Sequence, residues 1–284
     1  MTRVTSAADR ERSCKIDQRG GLSLEQKSKY VSGNKSVSKT LAILSLFSEG
    51  ERMLRTSEIA DRLQMNISTV SRHLNTLLDG GFLQRDDATG YYYPGMEIIT
   101  LAGVALKNKS IYRHAYPELQ QLSFNMKVLS HLGIPDGLDV VHLVCCCCED
   151  KTEMLFPMGH RQPLYCSAMG RAILAYMPEE EALRILKASD LQKYTPETQT
   201  DLRGLMETLK IIRKKGYCAN NNQLHMGRGS IAAPVFDWTR RPVGAISIST
   251  QSHRILAQVD EERFARTVTL VAGKISGKLG YYPE

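Results

Sequence analysis

The chain of 284 residues carries 42% hydrophobic and 24% charged residues, which excludes a wholly disordered polymer, and no apolar run approaches the roughly 20 residues of a helical membrane span. Its length suits two domains, each able to bury a core. The formal net charge of +7 is uneven: residues 1–40 hold nine basic against four acidic groups and residues 41–100 five against eight, so charge alone does not locate a polyanion-binding surface.

Residues 1–33 are polar and aperiodic, with no apolar stretch behind their charges. That predicts a disordered tail, no secretory signal and a cytoplasmic location. In SVSKTLAILSLFSEG, Val37, Thr40, Leu41, Leu44 and Phe47 recur at helical spacing and predict a first helix with one buried stripe. RTSEIADRLQM offers Thr56 or Ser57 as the cap of a two-turn helix burying Ile59, Ala60 and Leu63. A turn at Gln64 to Asn66 leads into MNISTVSRHLNTLLDGGFLQRD. There Ile67, Val70, Leu74, Leu77 and Leu78 form an apolar stripe, leaving Ser68, Thr69, Ser71, Arg72 and Asn75 on or near the opposite side.

Two helices joined by a tight turn form a helix-turn-helix, and FLQRD with GYYYPG reads as a β-hairpin wing. A helix of this width enters the DNA major groove, where Arg addresses guanine and Asn adenine. The candidate DNA contacts are therefore Ser68, Thr69, Ser71, Arg72 and Asn75, with Thr56 and Ser57 at the cap of the preceding helix, Asn66 in the turn and Arg85 on the wing. A solvated helix in an ordinary small domain would show the same polar face, and the preceding helix, turn and wing argue against that alternative.

GMEIITLAGVALKNKSIYRHA continues as a helix with a Lys-rich break at 107–109, the expected connection between domains. PELQQLSFNMK predicts another helix, and VLSHLGI and DVVHLVCCC flank Pro-Asp-Gly as an antiparallel hairpin. Helices and strands then alternate through AMGRAILAYM, a helix after Pro178, DLRGLMETLKIIRKKG, the strands GYCAN, SIAAPVFD and PVGAISIST, and a closing helix from about Ile255 to Leu279. This predicts an α+β domain on a mainly antiparallel sheet.

Seven cysteines, four consecutive at Cys145 to Cys148, form neither a disulfide framework nor a metal-ligand spacing, because neighbours on a strand face opposite ways. The expectation is a strand using Cys as a small apolar residue, with no metal site. Redox or metal sensing by the run remains the alternative.

The segments SEIADRLQMNISTVSRHLNTLLDGGFLQRD, RQPLYCSAMGRAILAYMPEE and IRKKGYCANNNQLHMGRGSIAAPVFD, followed by PVGAISIST, resemble the IclR family of bacterial transcription regulators over about residues 36 to 280. The resemblance implies an N-terminal winged helix-turn-helix (34–95), a linker helix (96–112) and a C-terminal GAF-like α/β effector-binding domain (113–284). It also implies a double-stranded DNA operator, a small organic or aromatic acid effector, a homodimer that in many members forms a dimer of dimers, no membrane partner and no cofactor. Carried over by position, the effector site falls on Ala168, Met169, Asn220, Ser230, Ser247 and Ser249, and the neighbouring Leu164 and Ile231 are expected to hold the ligand's carbon skeleton. The helix start at Ser167 to Gly170 would favour a carboxylate.

Three positions depart from the family pattern: Asn220 to Asn222 stand where many relatives have an acidic residue, Ser230 where several have Cys, and Gly170-Arg171 where Gly-Lys is usual. Arg161, His225 or Arg228 would then add anion contacts. A thiol enzyme using Cys166 or Cys218 is the remaining rival, but no assembled Cys-His pair with a third partner is visible in the sequence.

Overall fold

The computed structural model describes residues 34–49, 53–147, 156–251 and 258–282. The expected tail, Cys148 and the expected start of the closing helix near Ile255 lie outside the described residues. The chain divides into two units, Met1–Gly103 and Val104–Glu284. No described helix is long and apolar enough to cross a membrane.

In the first unit, α1 (Lys35–Leu46) is capped by Asn34, whose side chain accepts a hydrogen bond from the Ser36 amide at 3.0 Å. The buried side matches the expected stripe in part: Leu44 and Phe47 pack against the core. Ile43 and Leu46 are buried, while Val37 and Leu41 are 53% and 41% exposed. Thr40 also faces inward as expected: its Oγ1 lies 2.9 Å from Nδ1 of His73 on α3.

Helix α2 (Thr56–Leu63) begins one residue earlier than expected. Arg55 is its cap, in extended conformation, and the Glu58 carboxylate reaches back to accept from the Arg55 amide at 2.6 Å. Thr56 and Ser57 therefore open the helix instead of capping it. Gln64 ends α2 in the left-handed region, φ 51°, and aims the chain into α3 (Ile67–Asp79).

Strands β1 (Leu83–Arg85) and β2 (Tyr92–Pro94) pair antiparallel as the expected wing, and a bridge between Leu54 and Tyr92 anchors it to the segment before α2. Helix α4 (Met96–Lys107) follows and stops at the lysine-rich break.

The second unit opens with α5 (Ser110–Met126). Pro117 suggested a helix start, yet the helix runs through it. The buried stripe Ile111, Ala115, Leu119 and Leu122 explains this, since a continuous face on the sheet outweighs one lost backbone hydrogen bond.

A six-stranded sheet comprises β3 (Leu129–Asp136), β4 (Asp139–Cys146), β5 (Arg161–Pro163), β6 (Cys218–Asn221), β7 (Arg228–Phe236) and β8 (Pro242–Gln251), in the order β5-β4-β3-β8-β7-β6 with every neighbour antiparallel. Helices α5 and α9 (Gln258–Lys278) cover one face around a core that includes Leu132, Ile231, Ile246, Ile248 and Phe264. The buried Glu118 of α5 pairs with Lys274 and Lys278 of α9 at 2.8 and 2.7 Å and fastens that layer. The other face carries α6 (Ala168–Leu174), α7 (Glu179–Ala188) and α8 (Leu202–Lys215) around a second core. Strand alternation sends successive residues to the two layers, which decides what reaches the cavity described below.

Candidate functional site

Two surfaces carry chemistry, one in each unit. On α3, Val70, His73, Leu74 and Leu77 are buried, and Ser68, Arg72 and Asn75 are exposed on the other side, with Thr69 and Ser71 half-buried between them. Among the described residues nothing pairs with the Arg72 guanidinium, so it is free to meet a partner outside the chain. Ile67, expected in the apolar stripe, is 58% exposed at the helix start beside Asn66. The missing turn of that stripe is supplied by His73, whose polar side chain hid its inward orientation.

The wing presents Arg85 on an exposed strand position, its guanidinium over the Tyr92 ring at 5.7 Å. Its tip is a turn in which the Asp86 carboxylate accepts from the Ala88 and Thr89 amides at 2.8 and 3.0 Å, bonds that hold this carboxyl below its usual range.

In the second unit a cavity partly open to solvent lies on the α6 face of the sheet. Ala168 and Met169 reach it from α6, Asn220 from β6, Ser230 from β7, and Ser247 and Ser249 from β8. Register explains the convergence: Asn220 pairs with Ser230 and Ser230 with Ser249, one row across three strands. The Ser230 and Ser249 hydroxyls are 2.9 Å apart. Asn220 Nδ2 donates to the Cys166 carbonyl at 2.8 Å, while its buried Oδ1 has no partner among the described residues.

Two expected wall residues are elsewhere. Ile231 alternates to the opposite sheet face and packs in the α5–α9 core, and Leu164 is fully buried in the α6–α8 core. Both were read as walls because neighbouring positions were, and strand alternation separates neighbours. Arg161 is also committed, to Asp136 at 2.7 Å and Asp139 at 3.1 Å, and does not line the cavity, whereas His225 and Arg228 do. At the start of α6 the Ser167 hydroxyl accepts from the Gly170 amide at 3.1 Å, so the helix caps itself there.

Sequence reading missed His131, His142, Phe156 and Gln162 in the lining, together with Gln223. The signal was present: His131 and His142 interrupt apolar strands at positions that alternate inward. Gln223 is structural, its Oε1 accepting from Arg171 at 2.9 Å and from the Gln199 amide at 2.9 Å. Burial holds the His131 and His142 rings neutral, at about 3 and about 4.

Cys145 and Cys146 end β4, with Cys147 just beyond it. Cys146 is buried, Cys145 half-buried and Cys147 exposed, and Cys145 is held up at about 11, chiefly by burial. Cys166 and Cys218 are buried thiols pushed up to about 12 and about 11, again chiefly by burial and against the opposing effect of Arg171. Thiols so protonated are poor nucleophiles. Among the described residues no cluster of His, Cys, Asp and Glu is arranged to hold a metal ion.

Comparison with known proteins places both units. The family model "Bacterial transcriptional regulator IclR C-terminal" matches residues 103–277, and "IclR helix-turn-helix domain" matches residues 36–87. The chain is 30% identical over 250 residues to the HTH-type transcriptional regulator KdgR of Escherichia coli K12, covering 87% of this chain and 93% of that protein. It is 28% identical over 251 residues to the E. coli K12 repressor AllR, covering 87% and 91%. The crystal structure of Thermotoga maritima IclR superposes with a TM-score of 0.72 at 29% identity, covering 87% of this chain and 99% of that one.

Proposed function

The chain belongs to the IclR family of DNA-binding transcriptional regulators, and on that premise we propose that it reads an operator through the Ser68–Asn75 face of α3 and answers to a small organic acid held in the cavity of the second unit. The observation that carries the first half is the exposed, unpaired Arg72 flanked by Ser68 and Asn75 on a helix whose other face is buried. Thr69 and Ser71 border that face. Thr56 and Ser57 at the start of α2 and Asn66 before α3 serve phosphates, as does Arg85 on the wing.

Two copies of the chain place their α3 helices in successive major grooves, with half-sites about one helical turn apart or a multiple of it. Assembly of such pairs into tetramers belongs to the same reading.

The second half rests on polar groups converging from different strands on one cavity: Asn220 Oδ1 without a partner, the Ser230–Ser249 pair, Ser247, and Arg228 at the rim. The acid acts by preferring one pose of the paired protein, with a coupling of about 1 to 3 kcal/mol. Buried, protonated Cys166 and Cys218 and relatives that are transcription regulators favour this over thiol catalysis.

The test is selection of duplexes from a random pool by the full-length protein. A palindromic consensus with Arg72-dependent positions is the expected outcome, and recovery of unrelated sequences contradicts it. A thermal-shift screen of carboxylic acids tests the cavity, because a ligand that binds only the folded state raises its melting temperature.

A further inference from the structure

Two consecutive tyrosines of the wing each carry an arginine. Arg85 lies over the Tyr92 ring with its guanidinium 5.7 Å from the centroid, and Arg55, the cap of α2, lies over the Tyr91 ring at 4.6 Å. The operator reading uses Arg85 and leaves Arg55 without a task. The backbone fixes both members of the second pair. Leu54 and Tyr92 exchange amide–carbonyl hydrogen bonds at 3.0 and 2.9 Å, and the Tyr91 carbonyl accepts from the Asp86 amide at 2.9 Å. Arg55 thus stands where the start of α2 meets the wing, exposed, beside a half-buried ring.

Its surroundings leave the guanidinium available. Residues 41–100 hold five basic against eight acidic groups, so no surplus of positive charge draws a phosphate backbone to this stretch, and its few arginines must be held where phosphates pass. The wing tip is unsuited, because Asp86 and Asp87 place carboxylates there. Glu58, the nearest acid in sequence, accepts from the Arg55 main-chain amide at 2.6 Å. Among the described residues no carboxylate pairs with the Arg55 side chain, and an aromatic face holds a guanidinium without taking its N–H donors. A mobile arginine loses side-chain entropy when it binds, and one already seated on a ring loses less. Arg55 opens the first helix of the pair, the one that crosses the DNA backbone, so its natural target is a phosphate and not a base edge.

We propose, resting on the operator reading above, that Arg55 grips a DNA phosphate at the junction of α2 and the wing, and that Tyr91 is the positioning residue that holds its guanidinium for that contact.

The experiment measures binding of the full-length protein, by fluorescence anisotropy over a salt series, to the duplex selected from a random pool and to a scrambled duplex of equal length. Arg55→Ala is expected to weaken both by about fivefold at physiological salt and to lower the salt slope by about one. Tyr91→Leu keeps the charge and an apolar side chain but no ring, and is expected to weaken both by about two- to fivefold with the slope unchanged. Tyr91→Phe keeps the ring and should bind as the parent chain does. In the Arg55→Ala background, Tyr91→Leu should weaken binding no further. Thermal melts verify folding, and Arg55→Gln replaces the alanine variant if that one melts early.

Affinity and slope unchanged in a folded Arg55 variant would overturn the phosphate contact and leave the operator reading standing. A loss confined to one base pair of the selected duplex would make Arg55 a base reader and overturn it too. An equal loss from Tyr91→Leu with and without Arg55 would put the ring itself on the DNA and overturn its positioning role. A parent chain that binds neither duplex would overturn both readings.

Discussion

The α3 face and the cavity are both polar, but they are made in opposite ways. The helix face comes from one stretch of eight residues, exposed and opposed by a buried stripe, so its geometry follows from the 3.6-residue repeat. The cavity gathers groups from residue 131 to residue 249, and their meeting depends on strand register and on a bulge between Leu132 and Gly133. A local surface tolerates substitution and loses only contacts. A surface assembled over long range depends on the packing beneath it.

That contrast is broken most forcefully at Gly170. A Cβ there would lie 2.3 Å from the Leu164 carbonyl oxygen and 2.5 Å from its Cα, against backbone that cannot turn aside. Gly170→Ala is expected to destabilise the second unit by about 3 kcal/mol, read by denaturant melts. A melt unchanged within error would show that α6 is not seated as described.

Arg72→Ala should leave stability unchanged, weaken specific operator binding by about 1 to 3 kcal/mol and relax preference at one base pair per half-site. Uniform weakening on every sequence would make Arg72 a phosphate clamp.

A smaller effect comes from acid. The folded pKa of His131, about 3, lies below its ordinary value of 6.5, so its neutral burial has no protonation penalty above pH 6.5 and stability is lost as pH falls from there toward 3. Between pH 7 and 5.5 this one ring should remove about 1 kcal/mol, and His131→Leu should flatten the stability profile by that amount. An unchanged slope would place the ring in water.

The smallest expected change is at the wing. Arg85→Ala should weaken binding equally on all sequences and lower the salt slope by about one.

What was legible in the sequence follows the same division. Periodicity located α2, α3, the wing and most strands, because those signals are local. On α1 it put Val37 and Leu41 on the buried side, where they are exposed, and passed over Ile43 and Leu46, which are buried. It also began α5 too late, at Pro117, because a buried stripe overrides propensity. Within the cavity, position matching reached Ala168, Met169, Asn220, Ser230, Ser247 and Ser249, all of which line it. It put Leu164 and Ile231 on the wall by adjacency, and it passed over His131 and His142, whose meeting across β3 and β4 depends on a register no local pattern contains.

The account joins a base-reading helix to a ligand cavity, and the direct test is their thermodynamic linkage. Operator affinity of the full-length protein is measured with and without a cavity ligand, and ligand affinity with and without operator. The expected result is a shift of roughly 5- to 150-fold, equal in both directions because coupling is reciprocal. A ligand that saturates the cavity and leaves operator affinity untouched would contradict the account.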